Sequence, residues 1–341
     1  MAAYKLSYFN AKGRAETCRL MFALAGREYE DNRIPRENWP AIKPSTPLGQ
    51  VPVLTIDGED FPQSGAIERY IAREFGFYGK NNVENTKCDV VLETINDVRP
   101  EFRKWFTEND ETKKEELRKN LEEVILPRFV KYVEKMLTDN GGQYLVGDKG
   151  KAEVCRLLFA LAGREYEDNR IPRENWPAIK PSTPLGQVPV MTIDGEDFPQ
   201  SGALERYLAR EFGFYGKNNL ENTKCDVILE TINDVRPELR KLSTEKDESK
   251  KEEVRKNLEE VILPRFVTFI EKMLIKNGGE NLVGDTVTVA DLAVLHISEQ
   301  FSERAKIDMF KTASTLKAHI DKIRAIPAIH DWLETRPKTE M

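Results

Sequence analysis

A short series of polar and aromatic residues in the first quarter of the chain has types and spacings suited to binding a small anion. The series is Trp39 with Lys43, Gln50 with Val51-Pro52, and Gln63 with Ser64. Residues four positions apart share a helix face, so Trp39 and Lys43 can act together. Backbone amides at a helix start attract a carboxylate, and Ser64 stands where the next helix is expected to begin. The series predicts a pocket for a small peptide-like anion.

Each member of this series also has a plainer structural interpretation. Ser64 is a typical helix cap, and a proline that opens a strand is typical of a sheet edge. Tyr8, at the end of the first predicted strand, has the character of a core or rim aromatic. The prediction of a site therefore depends on the combination and not on any one residue.

Composition narrows the class of protein. The 341 residues predict two or three domains, and 40% hydrophobic with 32% charged residues is ordinary for a globular protein. A net charge of −6 argues against a nucleic-acid partner, because phosphate binding needs clustered Lys and Arg. The first residues show no leader pattern, and no apolar run reaches the roughly 18 residues of a membrane span. We expect a cytoplasmic protein with no membrane partner.

The cysteines and histidines predict neither a disulfide framework nor a metal site. Cys18 and Cys88 recur as Cys155 and Cys225, and none belongs to a CxxC, which disfavours thioredoxin-type redox chemistry. The three histidines lie late in the chain without the spacing of metal ligands. We expect reduced thiols and no metal.

An internal repeat dominates the sequence. The stretch 22–53 returns unchanged as 159–190, and an offset of 137 positions relates Cys18 to Cys155. The match runs without a gap from Lys12 to Asp148 (repeat 1) and from Lys149 to Asp285 (repeat 2). Such a period is too long for a solenoid and indicates a tandem domain duplication. Repeat 2 has no counterpart of residues 1–11, and repeat 1 has none of residues 286–341.

Repeat 1 and the residues before it predict a compact α/β unit followed by helices. Strands are expected over 4–9, 29–34, 51–56 and near 60–61, with Asp57-Gly58 as a hairpin turn. Helices are expected from about Arg14 to Gly26 and from a cap at Ser64, and the first two strands should pair in parallel. From 82 onward the pattern is amphipathic helix, bent at Pro100. A capping box, Thr288 with Asp291, starts a helix that repeat 1 lacks.

The combination of motifs resembles the sigma class of cytosolic glutathione S-transferases, which includes hematopoietic prostaglandin D synthases. The motifs are Tyr8-Phe9-Asn10, Gly13-Arg14-Ala15-Glu16, Trp39-Pro40, Lys43, Gly49-Gln50-Val51-Pro52 and Gln63-Ser64. The resemblance implies an α/β plus all-α protein, in which a thioredoxin-like domain is followed by a helical domain, repeated twice. The expected domains are 2–79, 81–148, 149–216 and 218–341. It also implies glutathione as co-substrate, no metal, and a homodimer or an intramolecular pseudo-dimer.

The resemblance assigns roles to individual residues. Tyr8 would be the catalytic hydroxyl that stabilises the glutathione thiolate, and Arg14 would support it. A thiol of pKa about 8.5 needs roughly 2.7 kcal/mol of differential stabilisation to titrate two units lower. One charge-assisted hydrogen bond with a helix dipole can supply that. The expected glutathione-binding residues are Trp39, Lys43, Gly49, Gln50, Val51, Pro52, Gln63, Ser64 and Asp97, of which Asp97 would reach across a dimer to the γ-glutamyl ammonium of the partner. The expected electrophile pocket contains Phe9, Trp105 and Phe106.

The expected reaction is attack of the thiolate on a hydrophobic electrophile or a peroxide, as in detoxification. Two alternatives stay open. One is glutathione-dependent isomerisation of the prostaglandin D synthase type, which uses the same thiolate. The other is a non-catalytic protein that binds glutathione or apolar ligands, as lens crystallins of this class do.

Repeat 2 keeps most of the binding residues but not the activating one. A possible second site consists of Trp176, Lys180, Gln187, Val188, Gln200, Ser201 and Asp234. Nothing there corresponds to Tyr8, and Lys151 replaces Arg14. Since repeat 2 lacks the first strand, we expect a gap in the middle of its sheet, and repeat 1 lacks the last helices.

Three interpretations of the duplication stay open. The two repeats could form an intramolecular pseudo-dimer in which Asp234 completes the first site. One site could work while the other repeat is an appendage. Two adjacent genes could also have been joined with loss of sequence at the junction.

Overall fold

The computed structural model describes residues 2–136, 145–146 and 151–337. The first strand–helix region contains β1 (Tyr4–Phe9), α1 (Glu16–Leu24), β2 (Glu30–Ile34), α2 (Trp39–Ile42), β3 (Val53–Ile56), β4 (Glu59–Pro62) and α3 (Ser64–Phe75). Three helices follow: α4 (Asn82–Thr107), α5 (Glu111–Asn120) and α6 (Leu126–Met136). The predicted strand positions and the turn at Asp57-Gly58 are confirmed.

The second strand–helix region has the same order. It contains β5 (Leu145–Val146), α7 (Glu153–Ala162), β6 (Asp168–Asn169), α8 (Trp176–Ile179), β7 (Val190–Ile193), β8 (Glu196–Pro199) and α9 (Ser201–Glu211). The last helices are α10 (Asn219–Thr244), α11 (Glu248–Asn257), α12 (Leu263–Lys276), α13 (Val289–Gln300), α14 (Ser314–Arg324) and α15 (Pro327–Thr335). None of the described helices is long and apolar enough to cross a membrane.

Each strand–helix region forms a four-stranded mixed sheet. The order is β2-β1-β3-β4 in the first and β6-β5-β7-β8 in the second. In both, the central strand pairs in parallel with one neighbour and antiparallel with the other. The first sheet buries Leu6, Leu54 and Phe61 against Phe22 of α1 and Ile67 of α3. This is a thioredoxin-like domain followed by helices, as predicted.

The expected gap in the second sheet is wrong. The two-residue strand β5 fills the central place: Leu145 pairs with Asp168 and Met191, as Leu6 pairs with Asp31 and Leu54 in the first sheet. The segment 1–11 has no sequence counterpart in repeat 2, but the residues just before repeat 2 take its position. A central strand is required because the facing edges of β6 and β7 carry backbone donors and acceptors that need partners.

Three helices test the predictions made for their starts and for Pro100. The N-cap of α3 is Gln63, with φ 75°, and Ser64 is the first helical residue, so the predicted cap at Ser64 is wrong by one position. α4 continues through Pro100 to Thr107. The capping box at α13 is confirmed, because the Thr288 amide donates to Asp291 Oδ2 at 2.7 Å.

The chain divides into two compact units that cut across the repeats. Unit 1 is Met1–Tyr78 with Gly213–Asp331, and unit 2 is Gly79–Phe212 with Trp332–Met341. Unit 1 therefore combines the first sheet with the last set of helices. Unit 2 combines the second sheet with α4–α6. In unit 1, α3 packs along α10, and in unit 2, α9 packs along α4.

Buried ion pairs join the sheet domain to its helices in both units. In unit 1, Arg69 donates to Glu230 at 2.9 Å, and Arg73 donates to Asp226 at 3.0 Å. In unit 2, Arg206 lies 3.2 Å from Glu93, and Arg210 lies 3.1 Å from Asp89. Breaking one partner of such a pair leaves a buried charge without compensation, so these pairs hold each sheet domain to the helix packed on it.

Candidate functional site in unit 1

Tyr8 stands at the end of β1, where the strand passes into the loop before α1. The backbone amide of Arg14 donates a hydrogen bond to the Tyr8 hydroxyl oxygen at 3.3 Å. A methyl group on Gly13 would lie 2.6 Å from that oxygen, and Gly13 has φ +50°. Glycine at this position therefore lets the phenol reach the loop backbone. The amide occupies an acceptor position of the oxygen and leaves its proton free to donate elsewhere.

Arg14 contributes its backbone rather than its side chain to Tyr8. Its side chain is exposed, and its charge acts on Asp234. The resemblance implied that the Arg14 side chain supports the tyrosine. The contact that the structure records is the amide hydrogen bond.

Arg19 is a structural residue of this site that sequence reasoning missed. Its side chain, only 7% exposed, donates to the carbonyl oxygen of Ala11 at 2.8 Å and pairs with Asp31 and Glu16. These contacts hold the loop that follows Tyr8 against α1 and β2. The available signal was an arginine next to Cys18 on the apolar face of a predicted helix, where a charge must find a partner.

The aromatic residues of the site form one connected group. The ring of Phe9 packs edge-on to Trp39 with centroids 5.3 Å apart, and it lies 5.6 Å from the ring of Tyr8. Trp39 is the first residue of α2, and Lys43 follows one turn later. The predicted shared face of Trp39 and Lys43 thus borders the loop that leads to β3.

That loop brings several predicted residues to the start of β3. Gly49 has φ +61°, Gln50 is exposed, Val51 is half-buried, and the Val51-Pro52 bond is cis. A methyl group on Gly49 would lie 3.5 Å from Lys43 Cε. The Lys43 side chain therefore runs along the Gly49 backbone.

The start of α3 supplies the remaining predicted polar residues. Gln63 is 9% exposed and Ser64 is 4% exposed, and the helix they begin has 12 residues. The amides of its first turn lack intrahelical partners and carry the positive end of the helix dipole. A carboxylate placed there gains both effects.

Gln63 also contacts a carboxylate from far along the chain. Its Nε2 donates to Asp234 Oδ2 at 2.9 Å and lies 3.4 Å from Thr231 Oγ1, both on α10. Although part of Asp234 is exposed, desolvation by the surrounding protein raises the pKa of its carboxyl above the ordinary value. The hydrogen bond from Gln63 and the charges of Arg14 and Arg265 lower the pKa in part. An ammonium group would find a hydrogen-bonded carboxylate here.

Asp97 does not join this set. In unit 2 it accepts a hydrogen bond from Gln200 Nε2 at 2.9 Å, the same contact that Asp234 makes with Gln63. The resemblance gave Asp97 a role at the γ-glutamyl group of a partner site and not of its own repeat, and that role stays a prediction. The carboxylate beside Gln63 is Asp234, because α10 and not α4 packs along α3.

The second group of predicted residues repeats this arrangement in unit 2. The Val188-Pro189 bond is cis, Gln200 precedes α9 with φ 75°, and Ser201 is 8% exposed. Trp176 starts α8, Lys180 follows it, and Gln187 is exposed. By register, Val146 of β5 corresponds to Ser7, one residue before the position of Tyr8. The described part of β5 ends there, and repeat 2 has no sequence counterpart of Tyr8.

The predicted electrophile-pocket residues are divided between the units. Phe9 belongs to unit 1, and Trp105 and Phe106 belong to unit 2, where Phe106 is 79% exposed. In unit 1 the positions that correspond to Trp105 and Phe106 are Leu242 and Ser243 of α10. That pocket stays a prediction.

Two family models match the chain. The N-terminal domain of glutathione S-transferases matches residues 4–73, and their C-terminal domain matches residues 96–150 and 233–336. Glutathione S-transferase 1 of Ascaris suum is 40% identical over 197 residues, which are 56% of this chain and 94% of that protein.

Solved structures agree with these matches. A Nu-class transferase from Haemonchus contortus shares 36% identity with a TM-score of 0.54, over 58% of this chain and 98% of that one. The prostaglandin synthase D of Nilaparvata lugens shares 32% identity with a TM-score of 0.54, over 58% of this chain and 99% of that one. With nearly the whole length of such relatives contained in it, the chain belongs to the glutathione S-transferase family.

Proposed function

We propose that unit 1 carries a working glutathione transferase site, in which Tyr8 stabilises the thiolate of glutathione for attack on hydrophobic electrophiles or peroxides. The observation that supports this most directly is the state of the Tyr8 hydroxyl. It accepts from the Arg14 amide at 3.3 Å, and its own proton is free for a thiolate. A donated hydrogen bond lowers a thiol pKa because it stabilises only the charged form.

The other residues of the site would bind the peptide. Trp39 and Lys43 would hold the glycyl carboxylate, and the loop from Gly49 to Pro52 would meet the cysteinyl backbone. The amides at Ser64, with Gln63, would bind the γ-glutamyl carboxylate, while Asp234 would accept from its ammonium. This arrangement matches two carboxylates and one ammonium with groups of opposite charge, so it orients the thiol as well as binding the peptide.

The experiment that tests this role is the substitution Tyr8→Phe. We expect kcat/KM to fall on the order of 10²-fold, as for loss of one donor to a developing anion. The dissociation constant of glutathione should change little, and the pKa of bound glutathione should return to about 8.5. Thiolate absorbance against pH measures the pKa directly.

The matched control is Tyr29→Phe, which removes a hydroxyl from a core ring stacked on Phe22 at 4.3 Å between centroids. This variant should keep full activity. Near-unimpaired turnover by Tyr8→Phe would refute the role of Tyr8. Glutathione that binds to the wild-type chain without any pKa shift would favour the alternative of a non-catalytic binding protein.

Unit 2 is proposed to bind glutathione without activating it. Trp176, Lys180, Gln187, Val188 and Ser201 repeat the binding residues, and Asp97 would serve this site through Gln200. Since repeat 2 has no sequence counterpart of Tyr8, this site would lack the hydroxyl that stabilises the thiolate in unit 1.

We also propose a sigma-class origin, by tandem duplication, with the four predicted domains and a cytoplasmic location. The two matches to the family's C-terminal domain and the two sheets of the same order support the duplication. Gln63 and Asp234 belong to the same unit, so the chain itself supplies the carboxylate beside Gln63. Likeness to a prostaglandin synthase is compatible with isomerase activity and does not favour it over conjugation.

A further inference from the structure

Arg265 approaches the candidate site of unit 1 from a distant part of the chain. It lies on α12, in the last set of helices. A methyl group on Gly49 would lie 3.9 Å from Arg265 Nη1 and 3.5 Å from Lys43 Cε. Two cationic side chains, one from each domain of unit 1, thus converge on the same side of the Gly49 backbone.

Lys43 and Arg265 are both accessible to a ligand. Lys43 and Arg265 are exposed, and among the residues that the structure describes no ion pair is recorded for either side chain. The charge of Arg265 reaches Asp234, whose pKa it lowers. Asp234 has its own hydrogen bond from Gln63, so the guanidinium of Arg265 is available to a ligand.

Unit 2 does not repeat this approach within the same distance, although its sequence carries the same residues. Gly186 corresponds to Gly49, and a methyl group there would lie 3.6 Å from Lys180 Cε. Within 4 Å of that methyl position the structure has atoms of Lys180 and none of Arg128, which corresponds to Arg265. The arrangement around Gly49 is therefore not a consequence of local sequence.

We propose that Arg265 is a second cationic ligand of the glycyl carboxylate of glutathione, beside Lys43. The inference rests on the proposed function of unit 1. A guanidinium can bind both oxygens of a carboxylate in a fixed geometry, whereas an ammonium acts as a point charge. Arg265 would therefore fix the orientation of the glycyl end, while Lys43 adds affinity. It is a binding and positioning residue for the peptide and takes no part in activating the thiol.

The test compares Arg265→Gln with Arg128→Gln in the full-length chain. KM for glutathione is measured in the conjugation of an activated chloronitrobenzene, together with KM for glutathione whose glycyl carboxylate is esterified. For Arg265→Gln we expect KM for glutathione to rise about tenfold, as for loss of one hydrogen bond to a charged group, with kcat within about twofold. KM for the ester should stay at the wild-type value, and Arg128→Gln should change neither.

The outcomes separate this inference from the proposed function. Arg265→Lys should recover part of the loss in affinity, since it restores the charge without the planar fork. An unchanged KM in Arg265→Gln, or an equal rise for glutathione and its ester, would overturn the role of Arg265 alone. A wild-type chain that calorimetry shows not to bind glutathione would overturn the proposed function, and this inference with it.

Discussion

Two aspartates at the same position of the two repeats serve different glutamines. Gln63 donates to Asp234, and Gln200 donates to Asp97, each at 2.9 Å. The carboxylate beside Gln63 thus comes from a residue 171 positions further along the chain. Because the two aspartates lie in nearly identical local sequence, each is a control for the other.

The substitution Asp234→Asn should weaken the site that contains Tyr8. Loss of a charge-assisted contact to an ammonium costs about 1.5–3 kcal/mol, so KM for glutathione should rise on the order of tenfold to a hundredfold. The substitution Asp97→Asn should leave conjugation unchanged. A larger effect of Asp97→Asn on KM would show that the carboxylates are exchanged relative to this arrangement.

Although Asp234→Asn should weaken glutathione binding, it should increase the stability of the folded chain. The pKa of Asp234 is raised, so the folded state disfavours its ionised form and loses stability as pH rises through the ordinary aspartate range. Asp234→Asn removes this cost and should raise the free energy of unfolding at pH 7. The difference should vanish below about pH 3, where the aspartate is protonated in both states. Urea unfolding at the two pH values measures it, and a loss of stability at pH 7 would contradict the expectation.

At the scale of elements, corresponding helices of similar sequence have different surroundings. Val267 on α12 is 2% exposed, and its counterpart Val130 on α6 is 48% exposed. α12 packs with α10 and α14, and repeat 1 has no sequence that corresponds to α14. The same side chain is thus core in one repeat and surface in the other.

This difference predicts the cost of two identical substitutions. Val267→Ala should lower the free energy of unfolding by about 2 kcal/mol, from lost burial and the cavity it leaves. Val130→Ala should change it by less than about 0.5 kcal/mol. Denaturant unfolding, followed by a probe in each unit, measures both. An equal cost at the two positions would mean that the α6 face is covered in solution.

At the scale of the whole molecule, the two units share most of the predicted binding residues but not the predicted activating residue. Each has a glutamine at a helix start hydrogen-bonded to an aspartate. Repeat 2 has no sequence counterpart of Tyr8. The chain should therefore bind more glutathione than it activates.

Calorimetry should give two molecules of glutathione per chain, and thiolate absorbance should report one. The substitution Lys180→Ala should reduce the number of glutathione molecules bound per chain without changing the number of thiolates. Lys43→Ala should weaken the activated site in both measurements. Two thiolates per chain, or a single binding event that Lys180→Ala removes, would contradict the division of roles between the units.

The sequence by itself determined what depends on local pattern. Alternation, turn residues and helix caps predicted β1–β4, α1, α3 and the capping box of Thr288 with Asp291, because these signals act over a few neighbouring residues. The motif from Tyr8 to Ser64 pointed to the family for the same reason. Parallel pairing of the first two strands also followed, because a helix lies between them in the sequence.

Where two segments have nearly the same sequence, only the tertiary structure decided which of them packs at a given place. Repeat 1 and repeat 2 present nearly the same α4 and α10, so no pattern could tell which helix meets α3. The packing of whole domains places α10 against α3. As a result Asp234 and Arg265 lie near the first site, and their counterparts Asp97 and Arg128 belong to unit 2. The position of strand β5 was also decided by tertiary structure. Its two residues lie between β6 and β7 and pair with both. Backbone hydrogen bonding requires an extended segment there, but it places little demand on the type of side chain.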